Sequence, residues 1–372
     1  MDTLTHALVG AAISDCGFRK RLGRIATPFA LAAAALPDVD VATYFIAPEY
    51  AWAYHRGYTH SFFFQILAAP LIGYVGYRLS EKKGGYGRWV LLTILCLFSH
   101  TLIDLVTSWG TMPLLPFSNA RISWDVAPIL DLFVFSTTAA SFVANRLLRW
   151  ERVETFMNPV AYPVVYRHPR RQRAADWIGK IVVALVVCYL LVGWRQNRQT
   201  VEIARKELAE AGITAVEVRA LPLMLTYVSW GIAARDAEGT IYNAVYSSYA
   251  PKPMRFDAFP TMSGTEVDKA LASPDGRLFS WYAQGMYVAD VLKVADGYQV
   301  TLRDRRFFTL AQSHLSRFSM NFDEDDEGQV TGVRSVQMGI DRFDLRDEFT
   351  RLWNLTRYGE AVIGSEVAPG DS

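Results

Sequence analysis

The amino-acid sequence predicts an α-helical membrane bundle followed by a β-rich (α+β) extracytoplasmic domain. Of the 372 residues, 51% are hydrophobic, a high share for a soluble chain, and before Arg195 they gather in long blocks. Beyond that point the composition is ordinary, and β-branched and aromatic runs alternate with turn signals. Within the apolar half the polar groups are concentrated: four of the six histidines fall in the first hundred residues, each with aspartate near it or in the next polar knot. The resulting organisation is a membrane-embedded helical bundle with a metal site over 1–148, a basic cytoplasmic loop over 149–175, a last transmembrane helix over 176–195 and a soluble β-rich domain over 196–372.

No basic residue precedes the first apolar stretch, Leu4 to Ile13, and Arg19, Lys20, Arg21 and Arg24 follow it. That is the reverse of a cleavable signal peptide, so the N-terminal stretch is expected to be retained. Leu4 to Ile13 and Ile25 to Leu36 are shorter than the roughly 20 residues of an ordinary span. Both are rich in small residues, which lets helices approach closely, and they read as short helices inside a bundle. Pro37 ends the second, because proline disfavours helical geometry in the residue before it, and delivers Asp38-Val39-Asp40 at the helix end. Phe62 to Leu79, Trp89 to Val106, Pro128 to Leu148 and Ile178 to Trp194 are long enough to cross a bilayer.

Three connections carry the basic residues: Arg19 to Arg24, Lys82 to Arg88, and Arg146 to Arg173. Placed in the cytoplasm by the positive-inside rule, they give an alternating topology with the chain after Trp194 outside. His6, Asp38, Asp40, His55, His60 and the His100/Asp104 end of its helix then share one membrane face, the outer one.

After Arg195, Thr200 to Ala211 reads as a short amphipathic helix. Ala215 to Ala220, Leu223 to Ala233, Thr240 to Ser247, Leu278 to Tyr287, Gly297 to Leu302 and Gly332 to Ile340 read as strands, with turns at Glu238-Gly239, Pro274-Asp275-Gly276 and Asp296-Gly297. The acidic run Asp323 to Glu327 lacks the spaced acids of a calcium loop and reads as solvated. Cys16, Cys96 and Cys188 are isolated, which supports neither a disulfide framework nor a zinc ribbon. The net charge of +1 gives no reason to expect nucleic acid as a partner. The basic loop, with Trp150, Phe156, Tyr162 and Tyr166 among its arginines, fixes orientation and meets anionic lipid; a protein partner through it or through the C-terminal domain is the other option.

The chemistry lies in the polar knots. His100 and Asp104, four residues apart, fall on one helical face, and Asp2 and His6 repeat the spacing in reverse order. An ionisable group in mid-membrane costs about 2.5–3.5 kcal/mol on insertion scales, so such groups face a cavity or a partner. A shared divalent cation would offset several at once, imidazole and carboxylate being common zinc ligands. Taken singly, His100/Asp104 also reads as a buried hydrogen-bonded pair, and His55/His60 as an interfacial loop. Arg56, between those histidines, reads either as a clamp for a phosphate oxygen or as a lipid-headgroup contact. Asp125 and Asp131 are weaker candidates for added ligands, and His168 and His314 stand outside the set.

Asp2-Thr3-Leu4-Thr5-His6 with Gly10, Leu36-Pro37-Asp38-Val39-Asp40, His55-Arg56-Gly57-Tyr58-Thr59-His60-Ser61 and Ser99-His100-Thr101-Leu102-Ile103-Asp104 together resemble the bacterial inner-membrane metal-dependent hydrolases, also called the YdjM or LexA-binding hydrolase family. The likeness covers about the first 130 residues. It implies a multi-pass protein of the bacterial inner membrane with metal ligands at His6, Asp38, Asp40, His55, His60, His100 and Asp104. More distantly the pattern is similar to the helical site of zinc-dependent phospholipase C. The activity so implied is metal-dependent hydrolysis of a phosphoester, lipid-like substrate, with zinc, more than one ion, as cofactor. In that scheme Asp38 orients the nucleophile and Arg56 holds the substrate. A membrane regulator with a structural metal clip is the alternative; a transporter ranks below both, since no internal repeat is visible.

Overall fold

The computed structural model describes residues 1–46, 51, 54–149, 152–154, 164–166, 169–223, 228–294, 297–307, 318–324, 330–338 and 345–359. His168, His314, much of the basic loop and the acidic run beyond Glu324 lie outside them. The chain divides into two compact units: Met1–Ala42, His55–Trp124 and Ile129–Val192 form the first, and Thr43–Tyr54, Asp125–Pro128 and Gly193–Ser372 the second.

The first unit is helical. Helix α1 (Thr3–Ile13) begins on Asp2, whose carboxylate accepts from the Thr5 amide at 2.9 Å and so satisfies one of the open donors of the first turn. Helix α2 (Ala26–Ala35) packs against it through alanines. Helix α3 (Phe62–Leu79) lies against helix α4 (Tyr86–Leu105), and Gly73 and Gly76 admit the Val90 backbone and the Trp89 ring. Leu22, Ala30, Ala34, Trp89, Leu92 and Cys96 share one core, which accounts for Cys96 as a packing residue. Helix α5 (Leu132–Leu148) starts on its Asp131 cap rather than at Pro128. Beyond it a short ribbon pairs β1 (Arg152–Glu154) with β2 (Val164–Tyr166).

Two expectations change here. Pro37 does end the α-helix, but the chain continues as a 3-10 turn over Leu36–Ala42, so Ala26–Ile46 becomes a helical stretch of 21 residues. Thr200 to Ala211 is no separate helix: Pro169–Glu210 is one uninterrupted 42-residue helix, α6. By length and composition Ala26–Ile46, Phe62–Leu79, Tyr86–Leu105 and Arg173–Glu210 can each cross a membrane.

Among the described residues the second unit contains two antiparallel sheets of four strands. The first runs in the order β3 (Ala215–Pro222), β4 (Ser229–Asp236), β5 (Ile241–Ser247) and β6 (Asp257–Phe259). Ala204 and Leu208 of α6 pack on its Val218, Trp230, Ile232 and Ala244. Helices α7 (Thr265–Ala272) and α8 (Pro274–Ala283) follow. The second sheet holds β7 (Tyr287–Val294), β8 (Gly297–Asp304), β9 (Phe318–Glu324) and β10 (Val330–Met338), and helix α9 (Leu345–Tyr358) comes last.

The strand expected over Leu278 to Tyr287 is instead mostly α8. Its buried Phe279, Tyr282 and Ala283 have helical spacing, and Pro274-Asp275-Gly276 is a helix start, with Ser273 Oγ accepting from the Gly276 amide at 3.0 Å and Pro at the position that needs no donor. Of the run Leu223 to Ala233, Ser229 to Ala233 lie in β4, and 224–227 fall outside the described residues.

Between the helices of the first unit a tight approach is at Gly10, where an added Cβ would lie 2.4 Å from the Ala30 carbonyl oxygen and 2.5 Å from Ala34 Cβ. Gly10→Ala is therefore expected to destabilise the first unit by about 1–3 kcal/mol through overpacking. Gly87, with nothing within 4 Å, should accept alanine neutrally or with a gain of up to about 1 kcal/mol. Thermal unfolding in detergent, followed by circular dichroism, compares the two.

Candidate metal centre

Four stretches of the first unit build one polar centre. Helix α4 presents His100 and Asp104 one turn apart, both buried. On the 3-10 turn, Asp38 and Asp40 are two residues apart and diverge: Asp38 faces His60 and His100, while Asp40 faces His55 and His60. His55 and His60 come from the loop before α3, and His6 from α1.

The convergence is close. His60 Nε2 lies 3.0 Å from His100 Nε2, 3.1 Å from Asp104 Oδ2 and 3.7 Å from Asp38 Oδ1. His100 Nε2 stands 3.3 Å from Asp38 Oδ1 and 3.4 Å from Asp104 Oδ2. One donor atom from each of Asp38, His60, His100 and Asp104 falls within 4.8 Å of the others. A second group, Asp38, Asp40 and His55, meets the same limit and shares Asp38.

The backs of the rings determine what their fronts offer. His100 Nδ1 is 2.6 Å from the Ala34 carbonyl, which can only accept, so Nδ1 carries the hydrogen and a neutral ring turns its Nε2 lone pair inward. His60 Nδ1 faces Asp40 Oδ2 at 3.3 Å and Thr59 Oγ1 at 2.9 Å, a carboxylate–histidine arrangement of the kind that orients metal-binding imidazoles. Two lone pairs and two carboxylates aimed at one point repel unless a cation sits among them. The residues therefore fit a divalent metal of the nitrogen- and oxygen-binding kind. The surroundings of His60 report the same potential: burial alone would lower its pKa, yet the hydrogen bonds to Asp104, Asp38 and Asp40 push it up to about 10.

His6, expected as a ligand, belongs to neither group. Its Nε2 meets Asp104 Oδ1 at 3.2 Å, and its ring stacks on His100 with centroids 3.7 Å apart. It stands behind the cluster, holding the outer oxygen of Asp104. Arg56, expected to clamp substrate, is 3% exposed. Its Nη2 contacts Asp104 Oδ1 at 3.1 Å and its Nη1 donates to Thr107 Oγ1 at 2.7 Å. The guanidinium is turned inward because Arg56 has a left-handed backbone, φ +68°, held there by its amide on Asp40 Oδ2 at 2.9 Å and its carbonyl on the Met112 amide at 3.0 Å. The clamp reading gives way to a positioning one.

Asp125 and Asp131 take other partners. Asp125 receives a two-pronged bond from Arg219 at 2.8 and 2.9 Å, and Asp131 caps α5 and accepts from the Tyr189 hydroxyl at 2.5 Å. Several supporting residues escaped the sequence reading. Thr3 Oγ1 donates to Asp38 Oδ2 at 2.6 Å and Thr59 Oγ1 to Asp40 Oδ2 at 3.0 Å. Gln65 Nε2 ties the Thr59 carbonyl to Thr101 Oγ1 at 3.0 and 2.7 Å. Gln65 had one signal available, an amide in an otherwise apolar run.

The apolar spanning helices and this buried His/Asp centre define a multi-pass membrane protein with a candidate metal site. The chain belongs to the YdjM inner membrane protein family, whose model matches residues 1–199, and is placed in the inner membrane. It is similar to the inner membrane protein YbcI of Escherichia coli strain K12, 35% identical over 101 residues, which are 26% of this chain and 57% of YbcI. It is also similar to YfhP of Bacillus subtilis strain 168, 24% identical over 148 residues, 38% of this chain and 45% of YfhP. The chain thus spans about half the length of the curated relatives it matches. No solved structure matches it.

Two donor groups sharing one carboxylate predict two divalent ions per chain at saturation. Elemental analysis should find the count falling to one in His55→Ala and below one in Asp38→Asn, whose change touches both groups. His60→Ala and His100→Ala should each lose the inner ion. His314→Ala, remote in sequence from every donor, should keep both.

Proposed function

We propose that the protein is a membrane-bound, metal-dependent hydrolase of phosphoester, lipid-like substrates, with zinc as the metal and the His/Asp centre at the outer face of the inner membrane. The observation that carries this reading is the pairing of a closed donor set with an open one. Asp38, His60, His100 and Asp104 supply four donors, enough to complete a tetrahedral ion, whereas catalytic zinc sites keep three protein donors and leave one position for water or substrate. Asp38, Asp40 and His55 are such a three-donor set. Their side chains are also the more accessible, 8%, 10% and 15% exposed against 0% for His60, His100 and Asp104.

When bound, a divalent ion supplies a Lewis acid for the phosphoryl oxygen and lowers the pKa of a water. The protein's own residues hold the geometry. Asp38 joins the two groups, with Thr3 fixing its outer oxygen; Asp40 orients both His55 and His60; and Arg56, with His6, holds Asp104 and balances its charge. The apolar helices around the centre exclude bulk water and so strengthen these interactions.

One observation favours a second reading. Four donors, three of them buried, also describe a closed structural site, and a metal clip that braces the bundle of a membrane regulator would look the same at His60, His100 and Asp104. Protein contacts through the basic loop or the β-rich unit would then carry the function.

The two readings part on turnover. Purified protein assayed against phosphoesters, lipid ones first, should show activity that chelation abolishes and zinc restores. Arg56→Lys should lower turnover about 10- to 100-fold, the range seen when groups that orient metal ligands are changed, because lysine cannot bridge Asp104 and Thr107 together. His55→Ala should abolish turnover while one ion remains bound. A metal-replete parent inactive across a broad ester panel would decide for the regulator.

The outer-face placement rests on the three basic connections and has its own check. Reporter fusions after Trp194 should be active outside the cytoplasm, and fusions within 149–173 inside it. The opposite pattern would put the centre on the cytoplasmic side.

A further inference from the structure

Beyond α4 the chain folds back beside the centre as a hairpin. Thr111 and Ile122 exchange backbone hydrogen bonds at 2.9 and 2.8 Å. The base so closed is fastened to the centre: the Met112 amide donates to the Arg56 carbonyl at 3.0 Å, and Arg121 Nη2 to the His55 carbonyl at 3.3 Å. The tip has a different character. From Thr111 to Ala120 no residue is charged, and Leu114, Pro116 and Phe117 are exposed, Phe117 to 79%.

We propose that this tip is a membrane contact: Leu114 and Phe117 enter the acyl boundary of the leaflet that borders the His/Asp centre, and the hairpin's base holds His55 and Arg56 in the headgroup layer. Three observations carry the assignment. The Phe117 ring packs edge-on against Phe63, with centroids 5.2 Å apart, and Phe63 lies in the first turn of α3, a helix apolar and long enough to cross a membrane. Phe63, Ile66 and Leu67 are exposed on that helix, so the hydrocarbon that covers them also reaches Phe117. The backbone of the tip, finally, is suited to leaving water, where main-chain polar groups must find partners within the protein. Pro113 and Pro116 have no N–H to desolvate. The Phe117 and Ser118 amides both turn onto the Leu114 carbonyl, at 2.9 and 3.1 Å, and the Pro113 and Leu115 carbonyls accept from the Phe62 amide and the Ser61 hydroxyl. Arg121, the first charge after the tip, is turned back onto the Trp109 and His55 carbonyls. Irregular backbone is excluded from the deep hydrocarbon, so the tip stops at the boundary, where apolar side chains still gain from burial.

This contact deepens the phosphoester reading by naming the source of the substrate, a headgroup of the same leaflet, and rests on that reading for the substrate alone. Leu114→Cys and Phe117→Cys are made in a background of Cys16→Ala and Cys188→Ser, Cys96 being fully buried. Leu67→Cys on α3 and Val216→Cys on β3, both exposed, serve as references. Each protein is spin-labelled, reconstituted into vesicles of phosphatidylethanolamine and phosphatidylglycerol, and scored for collision with oxygen, which concentrates in hydrocarbon, and with a water-soluble nickel chelate. Labels at 114 and 117 should follow the label at 67 and favour oxygen, while the label at 216 favours nickel. Labels at 114 and 117 that follow 216 would overturn the contact. So would labels shielded from both reagents, the mark of a protein surface over the tip. A protein that makes the contact but hydrolyses no vesicle lipid would refute the hydrolase reading and leave the contact standing.

Discussion

The carboxylate of Asp104 is the group on which the polar interior depends. It is fully buried in an apolar bundle, where an unpaired ion is penalised by several kcal/mol. Arg56, His6, His60, His100 and the terminal amine of Met1 all contact it. These partners arrive from α1, the loop before α3 and α4 itself, so satisfying one anion fixes the mutual placement of three elements. The hydrophobic packing of Trp89, Leu92 and the alanines of α2 stabilises the bundle. Asp104 determines which arrangement of it leaves no charge stranded.

That division explains how the two donor groups differ. Around Asp104 the donors are backed by other protein groups, including Thr107 through Arg56 and the Ala34 carbonyl through His100. Asp40 and His55 lie nearer the surface, and Asp38 is common to both groups. The centre thus grades from a braced interior to an accessible rim across a single shared carboxylate. The 3-10 turn provides both a braced and an accessible donor group by pointing Asp38 and Asp40 in different directions.

Much of this was legible in the sequence where the physics is local. His100 and Asp104 could be placed together because helix geometry alone sets the distance between residues four apart, and Pro37 announced the end of α2. The coarse division into apolar helices and a sheet-containing region followed from hydropathy and turn chemistry. What tertiary structure decides was not legible. Arg56 turns inward from a left-handed backbone that no residue type at that position demands, and His6 contacts Asp104 without joining either donor group. In the second unit, Leu278 to Tyr287 carries aromatic residues that suit a strand, but Ser273 and Pro274 together start a helix. A Pro-Asp-Gly triplet reads equally as a turn or as a first helical turn until its neighbour's hydroxyl is seen to cap it.

The bond from His100 to the Ala34 carbonyl has a consequence for how this centre can change over generations. Its acceptor belongs to the main chain, so no replacement at position 34, short of reshaping the helix, removes it. Substitutions there are filtered by volume alone, since Ala34 also abuts Gly10. The protonation pattern of His100 is therefore inherited with the helix itself, and drift among small residues at this contact leaves the chemistry of the imidazole unaltered. Carboxylate-held His60 has no such insurance, because a single base change at Asp40 can remove one of its Nδ1 partners and leave that nitrogen to Thr59 Oγ1.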